Sequence, residues 1–179
     1  MDAVFLYKGK FPTHQPTTVV EAFTTFLTEE KPDRIIEIGT AYGGCTLILA
    51  DIANTTAIYT YDNRDVCWHR TKNKKNVTTV VGDVFSQEIH DQIKGLIQSE
   101  GKVLLLCDGG NKVKEFNTFA PYLKSGDMIM AHDYAGRTCD WQWVEISDDD
   151  IEDVVEDERL QPNKQDVMGA AAWVSYKRA

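Results

Sequence analysis

The sequence predicts an α/β fold, a doubly wound and mostly parallel sheet with an antiparallel C-terminal edge strand. Three observations carry this. Short aliphatic or β-branched runs alternate with segments whose apolar residues recur at helical spacing, as in parallel strands joined by helical crossovers. The run Val103-Leu-Leu-Leu-Cys107 is apolar at every position, as expected of a central strand covered on both faces. Finally, Arg34-Ile-Ile-Glu-Ile38 leads into Gly39-Thr-Ala-Tyr-Gly43-Gly44 and then Thr46-Leu-Ile-Leu-Ala50, a strand, a glycine-rich turn and a helix in that order.

At 179 residues the chain suits one domain, 1–179, with residues 1–16 as an N-terminal arm. Two prolines and a glycine between Tyr7 and Pro16 predict a loop rather than a regular element. Val19, Val20, Phe23, Phe26 and Leu27 fall on one helical stripe, with Thr17 or Thr18 as cap and Pro32 as stop. After the glycine turn, Ala57-Ile-Tyr-Thr-Tyr61 predicts a second strand ending in Asp62, and Asn76-Val-Thr-Thr-Val-Val81 a third ending in Gly82-Asp83. The polar, basic stretch 64–75 between them reads as a solvated helix. Ile89, Ile93, Leu96 and Ile97 mark a helix over 86–99, and Val113, Phe116, Ala120 and Leu123 another after Asp108-Gly-Gly-Asn111. Met128-Ile-Met-Ala-His132 predicts the fifth strand, with Asp133 at its carboxyl end. Ser147 and Asp150 have capping-box spacing, so the acidic run 148–158 reads as a solvated helix face over Ile151, Val154 and Val155. Residues 167–176 predict the sixth strand.

A net charge of -9, from 28 acidic and 19 basic residues, opposes a nucleic-acid backbone as partner and favours a small molecule. The four cysteines form no C-x-x-C pair and read as reduced thiols. No apolar run reaches membrane-spanning length, and the start Met1-Asp2-Ala3-Val4-Phe5-Leu6 is too short and acidic for a signal peptide. A cytoplasmic protein with no membrane partner is expected, with a homo-oligomer possible.

In an open parallel sheet, ligands bind beyond the carboxyl ends of the strands. Asp62 is placed there to accept from ribose hydroxyls and Asp83 to meet an adenine amino group, while Glu37 can anchor the turn's amides or reach a cofactor through water. Gly39 ends the strand where the backbone must turn sharply, and Gly43 and Gly44 would let main chain approach a ligand closely. Each Asp could instead cap a helix, but acids at successive strand ends favour a nucleoside pocket. The dinucleotide fingerprint G-x-G-x-x-G is broken at Ala41, which leaves an NAD-dependent oxidoreductase as the weaker alternative. Tyr134, Trp141 and Trp143 could wall an aromatic or sugar-like substrate.

Glu37-x-Gly39-x-x-x-Gly43, Asp62, Gly82-Asp83, Asp108 and Gly126-Asp127-x-Ile129-x-x-His132-Asp133 together resemble class I S-adenosylmethionine (SAM) dependent methyltransferases over nearly the whole chain. The nearest subgroup is the cephalosporin hydroxylase-like and small-molecule O-methyltransferases. The resemblance implies a Rossmann-like methyltransferase fold, SAM as cofactor and O-methylation of a small hydroxylated molecule, with a SAM-binding module lacking catalysis as an alternative. It implies a cofactor set of Glu37, Gly39, Thr40, Ala41, Gly43, Asp62, Asp83 and Asp108. It also implies Mg²⁺ or Mn²⁺ on Asp108 and Asp133, with His132 standing where relatives often carry another acid. Asp108 would be catalytic through that ion, and Lys112, at the start of a helix, could take the substrate proton if its pKa is depressed by the ion and the helix end. The arm's His14-Gln15 resembles the segment that packs over the cofactor site in this subgroup.

Overall fold

The computed structural model describes residues 5–179; Met1 to Val4, the start of the arm and of the stretch read as too short and acidic for a signal peptide, lie outside the described residues. The strands are β1 (Phe5–Tyr7), β2 (Phe11–Thr13), β3 (Arg34–Ile38), β4 (Ala57–Asp62), β5 (Val77–Val81), β6 (Val103–Cys107), β7 (Met128–His132), β8 (Leu160–Pro162) and β9 (Trp173–Arg178). The helices are α1 (Val19–Glu30), α2 (Gly44–Ile52), α3 (His69–Lys72), α4 (Gln87–Gln98), α5 (Lys112–Phe119), α6 (Glu152–Asp157) and α7 (Gln165–Gly169). Seven strands form the main sheet in the order β5-β4-β3-β6-β7-β9-β8. β5, β4, β3, β6 and β7 pair parallel, and β9 pairs antiparallel with β7.

Alternation along the strands makes two cores. Ile36, Ile38, Leu105 and Cys107 face α4 and α5, where Ile93, Ile97, Phe116 and Phe119 are fully buried. Ile35, Leu104 and Leu106 face α1 and α2, meeting Phe23, Phe26, Ile48 and Leu49. The reversal of strand order between β3 and β6 is the switch point at which such sheets hold ligands.

Four local expectations are corrected. The arm is not irregular: β1 and β2 form an antiparallel hairpin turned by Lys8 and Gly9, both at positive φ. Pro12 is tolerated because a two-stranded ribbon is all edge and demands no N–H from it. Residues 64–75 are helical only over His69–Lys72, since that stretch offers no apolar stripe to bury. The last strand begins at Trp173 rather than Val167, because α7 buries Met168 against the α1 side and Ala172 turns the chain at φ 62°. The short β8 is added outside it, so the antiparallel strand has a neighbour on both sides. The Thr18 hydroxyl does not cap α1 but donates to the Ala170 carbonyl at 2.5 Å, tying α1 to the α7 turn. Among the described residues no helix is long and apolar enough to cross a membrane.

Candidate functional site

The carboxyl ends of β3 to β7 gather Gly39, Asp62, Asp83, Asp108 and Asp133 along one edge of the sheet. A cavity opens there, lined by Gly39, Asp62, Asn63, Asp83, Phe85, Gly109 and Asn111 among others. Asp62 accepts from the Ala41 N–H at 2.7 Å and the Arg64 N–H at 2.9 Å, pinning the glycine turn to the end of β4. Each oxygen keeps acceptor capacity for a ligand hydroxyl. Asp83 accepts from the Phe85 N–H at 2.9 Å, an Asx turn ahead of α4, whose cap position is Ser86, and it lines the cavity. Glu115 was not foreseen as part of the site. Its buried carboxylate receives the Gly109 and Asn111 amides at 3.0 and 3.1 Å and so shapes the loop after β6, and burial pushes its carboxyl pKa up.

The glycine turn serves the chain itself before any ligand. A Cβ on Gly39, whose φ is +100°, would stand 2.1 Å from the Asp108 carbonyl oxygen; one on Gly43 would stand 2.7 Å from Cys67 Sγ. Glu37, expected at the turn's amides, takes none of them. Its side chain lies on the α2 face of β3, fully buried, and one carboxylate oxygen accepts from both the Thr46 and Thr60 hydroxyls. Asp62 performs the anchoring role instead. Thr40 is buried on Thr60, and neither Glu37, Thr40, Ala41 nor Gly43 lines the cavity. Burial pushes the Glu37 carboxyl up to about 7, against the two hydroxyls that favour its charged form.

Beyond Gly109 the edge continues into a buried cluster. Asp108, His132 and Asp133 offer ligand atoms that all lie within 4.8 Å of one another. His132 Nδ1 is 3.1 Å from Asp108 Oδ1, 3.3 Å from Asp133 Oδ1 and 3.4 Å from Gln15 Nε2, so it can donate to a carboxylate or, unprotonated, offer its lone pair to the cluster; among the described residues Nε2 has no hydrogen-bond partner. The ring is wedged between Trp173 and Trp141, at centroid distances of 4.9 and 5.2 Å. Each carboxylate is held from behind. Gln15 of the arm donates to Asp108 Oδ2 at 2.7 Å while accepting from Trp173 Nε1 at 2.9 Å, and Trp141 Nε1 donates to Asp133 Oδ1 at 2.6 Å. Asp133 adopts φ 60°, a strained conformation of the kind found where geometry serves a site.

Lys112 closes the cluster, with its ammonium 2.9 Å from Asp133 Oδ2, 2.8 Å from Glu145 Oε2 and 3.8 Å from Asp108 Oδ1. Burial would lower its pKa, but Asp108, Asp133 and Glu145 outweigh that and raise it. The expected proton acceptor is therefore a firmly protonated cation, because three carboxylates surround it. It also donates to the Gly109 carbonyl at 3.0 Å. Asp133 is shifted down, as His132 and Lys112 overcome its desolvation. The half-buried Asp108 carboxylate, the buried Asp133 carboxylate and a buried imidazole facing one another are a donor set that fits a divalent ion. Gln15, Glu145 and Trp173 escaped the sequence reading as members of this cluster, apart from the short arm likeness at Gln15, because they come from distant parts of the chain.

A parallel sheet reversed at β3 and β6, a glycine turn pinned by the acid of the next strand, and a cavity over the switch point are the layout of the class I SAM-dependent methyltransferase fold. Comparison narrows this. The model of the family described as rhamnosyl O-methyltransferase/CmcI matches residues 5–145, and the chain belongs to that family. Comparison with curated proteins gives no match. Among solved structures, CmcI with S-adenosylhomocysteine (SAH) is 13% identical, with a TM-score of 0.65 over 97% of this chain and 81% of that one. CmcI with Mg and SAM is 14% identical, with a TM-score of 0.69 over 98% and 77%. An SAH-bound methyltransferase from Podospora anserina, 14% identical, has a TM-score of 0.62 over 90% and 78%. At these identities the likenesses establish the fold. The family assignment sets the NAD-dependent alternative aside.

Proposed function

We propose that the chain methylates a hydroxyl of a small molecule, using SAM in the cavity over β3 and β6 and a divalent ion held by Asp108, His132 and Asp133. The observation that carries the proposal is adjacency: Gly109 lines the cavity, and the residue before it, Asp108, belongs to the donor cluster. One group therefore joins the place for a cofactor to the place for an acceptor. When bound, SAM supplies an electrophilic methyl carbon, and a divalent ion lowers the pKa of a hydroxyl and orients it. The chain's own residues do the rest. Asp62 holds the ribose and Asp83 lies near the adenine. Lys112, protonated, takes an electrostatic role in place of proton abstraction: the acceptor hydroxyl would lose its proton to solvent, and the ammonium would hold the resulting oxyanion until the methyl group reaches it. Asp108 and Asp133, fixed by Gln15 and Trp141, keep the acceptor oxygen in line.

The aromatic wall proposed for the substrate contracts to one residue. Trp141 is buried on Asp133, and Tyr134 bonds Asp148, whereas Trp143 is half-buried at the rim, edge-on to Trp141 at 4.9 Å. Trp143 is the side chain left to meet an acceptor ring.

Calorimetry with SAM and SAH, with and without divalent ions, followed by methyl-transfer assays on a panel of phenolic and sugar hydroxyls, tests the proposal. Asp108→Asn should bind SAM within about threefold of the parent and lose metal-dependent transfer by about 100-fold or more. Transfer that is indifferent to EDTA would remove the ion from this account, while absence of SAM binding would remove the cofactor.

A further inference from the structure

Donor chemistry at the cluster goes beyond the presence of an ion to its identity. Among the three facing ligand atoms, two are carboxylate oxygens and the third is an imidazole nitrogen, His132 Nδ1. That nitrogen cannot be exchanged for another donor by a small movement. The ring is 1% exposed and held between two indoles, and its Nδ1 already points at both carboxylates. A second observation concerns charge. The Lys112 ammonium sits on the other oxygen of Asp133 and within 3.8 Å of Asp108, so the anionic field an ion would feel is partly neutralised from within the protein. Gln15 and Trp141 withdraw further electron density from the same two carboxylates by donating to them.

These features penalise one class of ion more than another. Mg²⁺ is hard, dehydrates reluctantly and depends on anionic oxygen ligands; a neutral nitrogen donor and a neighbouring ammonium both weaken its hold. Borderline first-row ions gain from imidazole, and their affinity for nitrogen-containing sites rises from Mn²⁺ through Co²⁺. We infer that His132 makes this site selective for a borderline transition-metal ion over Mg²⁺. The inference rests on the metal half of the function proposed above and names the ion that half would use.

The test is binding to the full chain, read without turnover. MgCl₂, MnCl₂ and CoCl₂ are titrated calorimetrically in the presence of SAM, and the Co²⁺ visible absorption spectrum is recorded. Co²⁺ should bind at least about 100-fold tighter than Mg²⁺, with Mn²⁺ between them. Because Co²⁺ outcompetes Mg²⁺ at many sites, the deciding quantity is the change in that ratio on substitution. His132→Glu should reduce the Co²⁺ to Mg²⁺ ratio by about tenfold or more and shift the Co²⁺ bands, as nitrogen gives way to oxygen. His132→Gln, which keeps the site neutral at this position, should reduce the ratio as well and serves if the Glu variant fails to fold by circular dichroism. A ratio unchanged in a folded variant, or parent affinity for Mg²⁺ equal to that for Co²⁺, overturns the inference and leaves metal assistance standing. Binding of none of the three ions, with SAM still bound, overturns both the inference and the metal half of the proposed function.

Discussion

Glu37 shows what burying a single carboxyl costs. Its carboxyl has an ordinary value of 4.5 and rises to about 7 in the fold, chiefly through desolvation. Below pH 4.5 both the folded and unfolded chains hold the proton. Between 4.5 and about 7 the unfolded chain gives it up and the folded chain retains it, so unfolding releases a proton and stability falls as pH rises. The fall amounts to about 3 kcal/mol and levels off above pH 7. Glu37→Gln should abolish this component, so the difference in urea-unfolding free energy between the variant and the parent should grow from pH 4.5 to 7. A pH-independent difference would show that the carboxyl is not protonated in the fold. The cluster at Lys112 follows the opposite logic. There, three neighbouring acids keep a buried ammonium charged, which is why the residue suits holding an anion and not accepting a proton.

At the scale of elements, the glycine turn between β3 and α2 is set by strand crossing. Gly39 combines a left-handed φ with a Cβ position overlapping the Asp108 carbonyl of the neighbouring strand end, so even alanine must push β3 and β6 apart. Gly39→Ala should lower unfolding free energy by more than about 2 kcal/mol, left-handed strain and steric overlap acting together. Denaturant melts measure this directly, and a loss under 1 kcal/mol would place the need for glycine on the ligand side. This contrast also explains what could be read from the chain. The β3 to β7 strands, the helices on both faces and the acids at strand ends follow from local periodicity, and the motif positions of Asp108, His132 and Asp133 converge in space. The β1–β2 hairpin, α7 and the extra strand β8 were illegible because three-to-five-residue elements carry too little pattern and are held by tertiary contacts. Glu115 and Glu145 carry no local signal, since nothing in their neighbourhood shows that one folds back onto its own loop and the other meets Lys112 from 33 residues away.

Across the whole molecule, the site is a meeting of remote segments. Gln15 reaches Asp108 across 93 residues, and Trp173 reaches Gln15 across 158. The sheet from β3 to β6 can pair through shorter crossovers, whereas this bond network closes the widest loop in the described site. Long-range closure is slow relative to local structure, because chain entropy opposes it before contacts reward it. In stopped-flow refolding, recovery of SAM or Co²⁺ binding should therefore lag the far-UV circular dichroism signal. Gln15→Ala should reduce ion affinity and shrink that lag without slowing the dichroism phase; coincident phases in the parent would mean that sheet and site form together. The arm's glutamine thus couples chemistry to the order of assembly: a nascent or partly refolded chain can hold a finished sheet while having no competence to bind the ion.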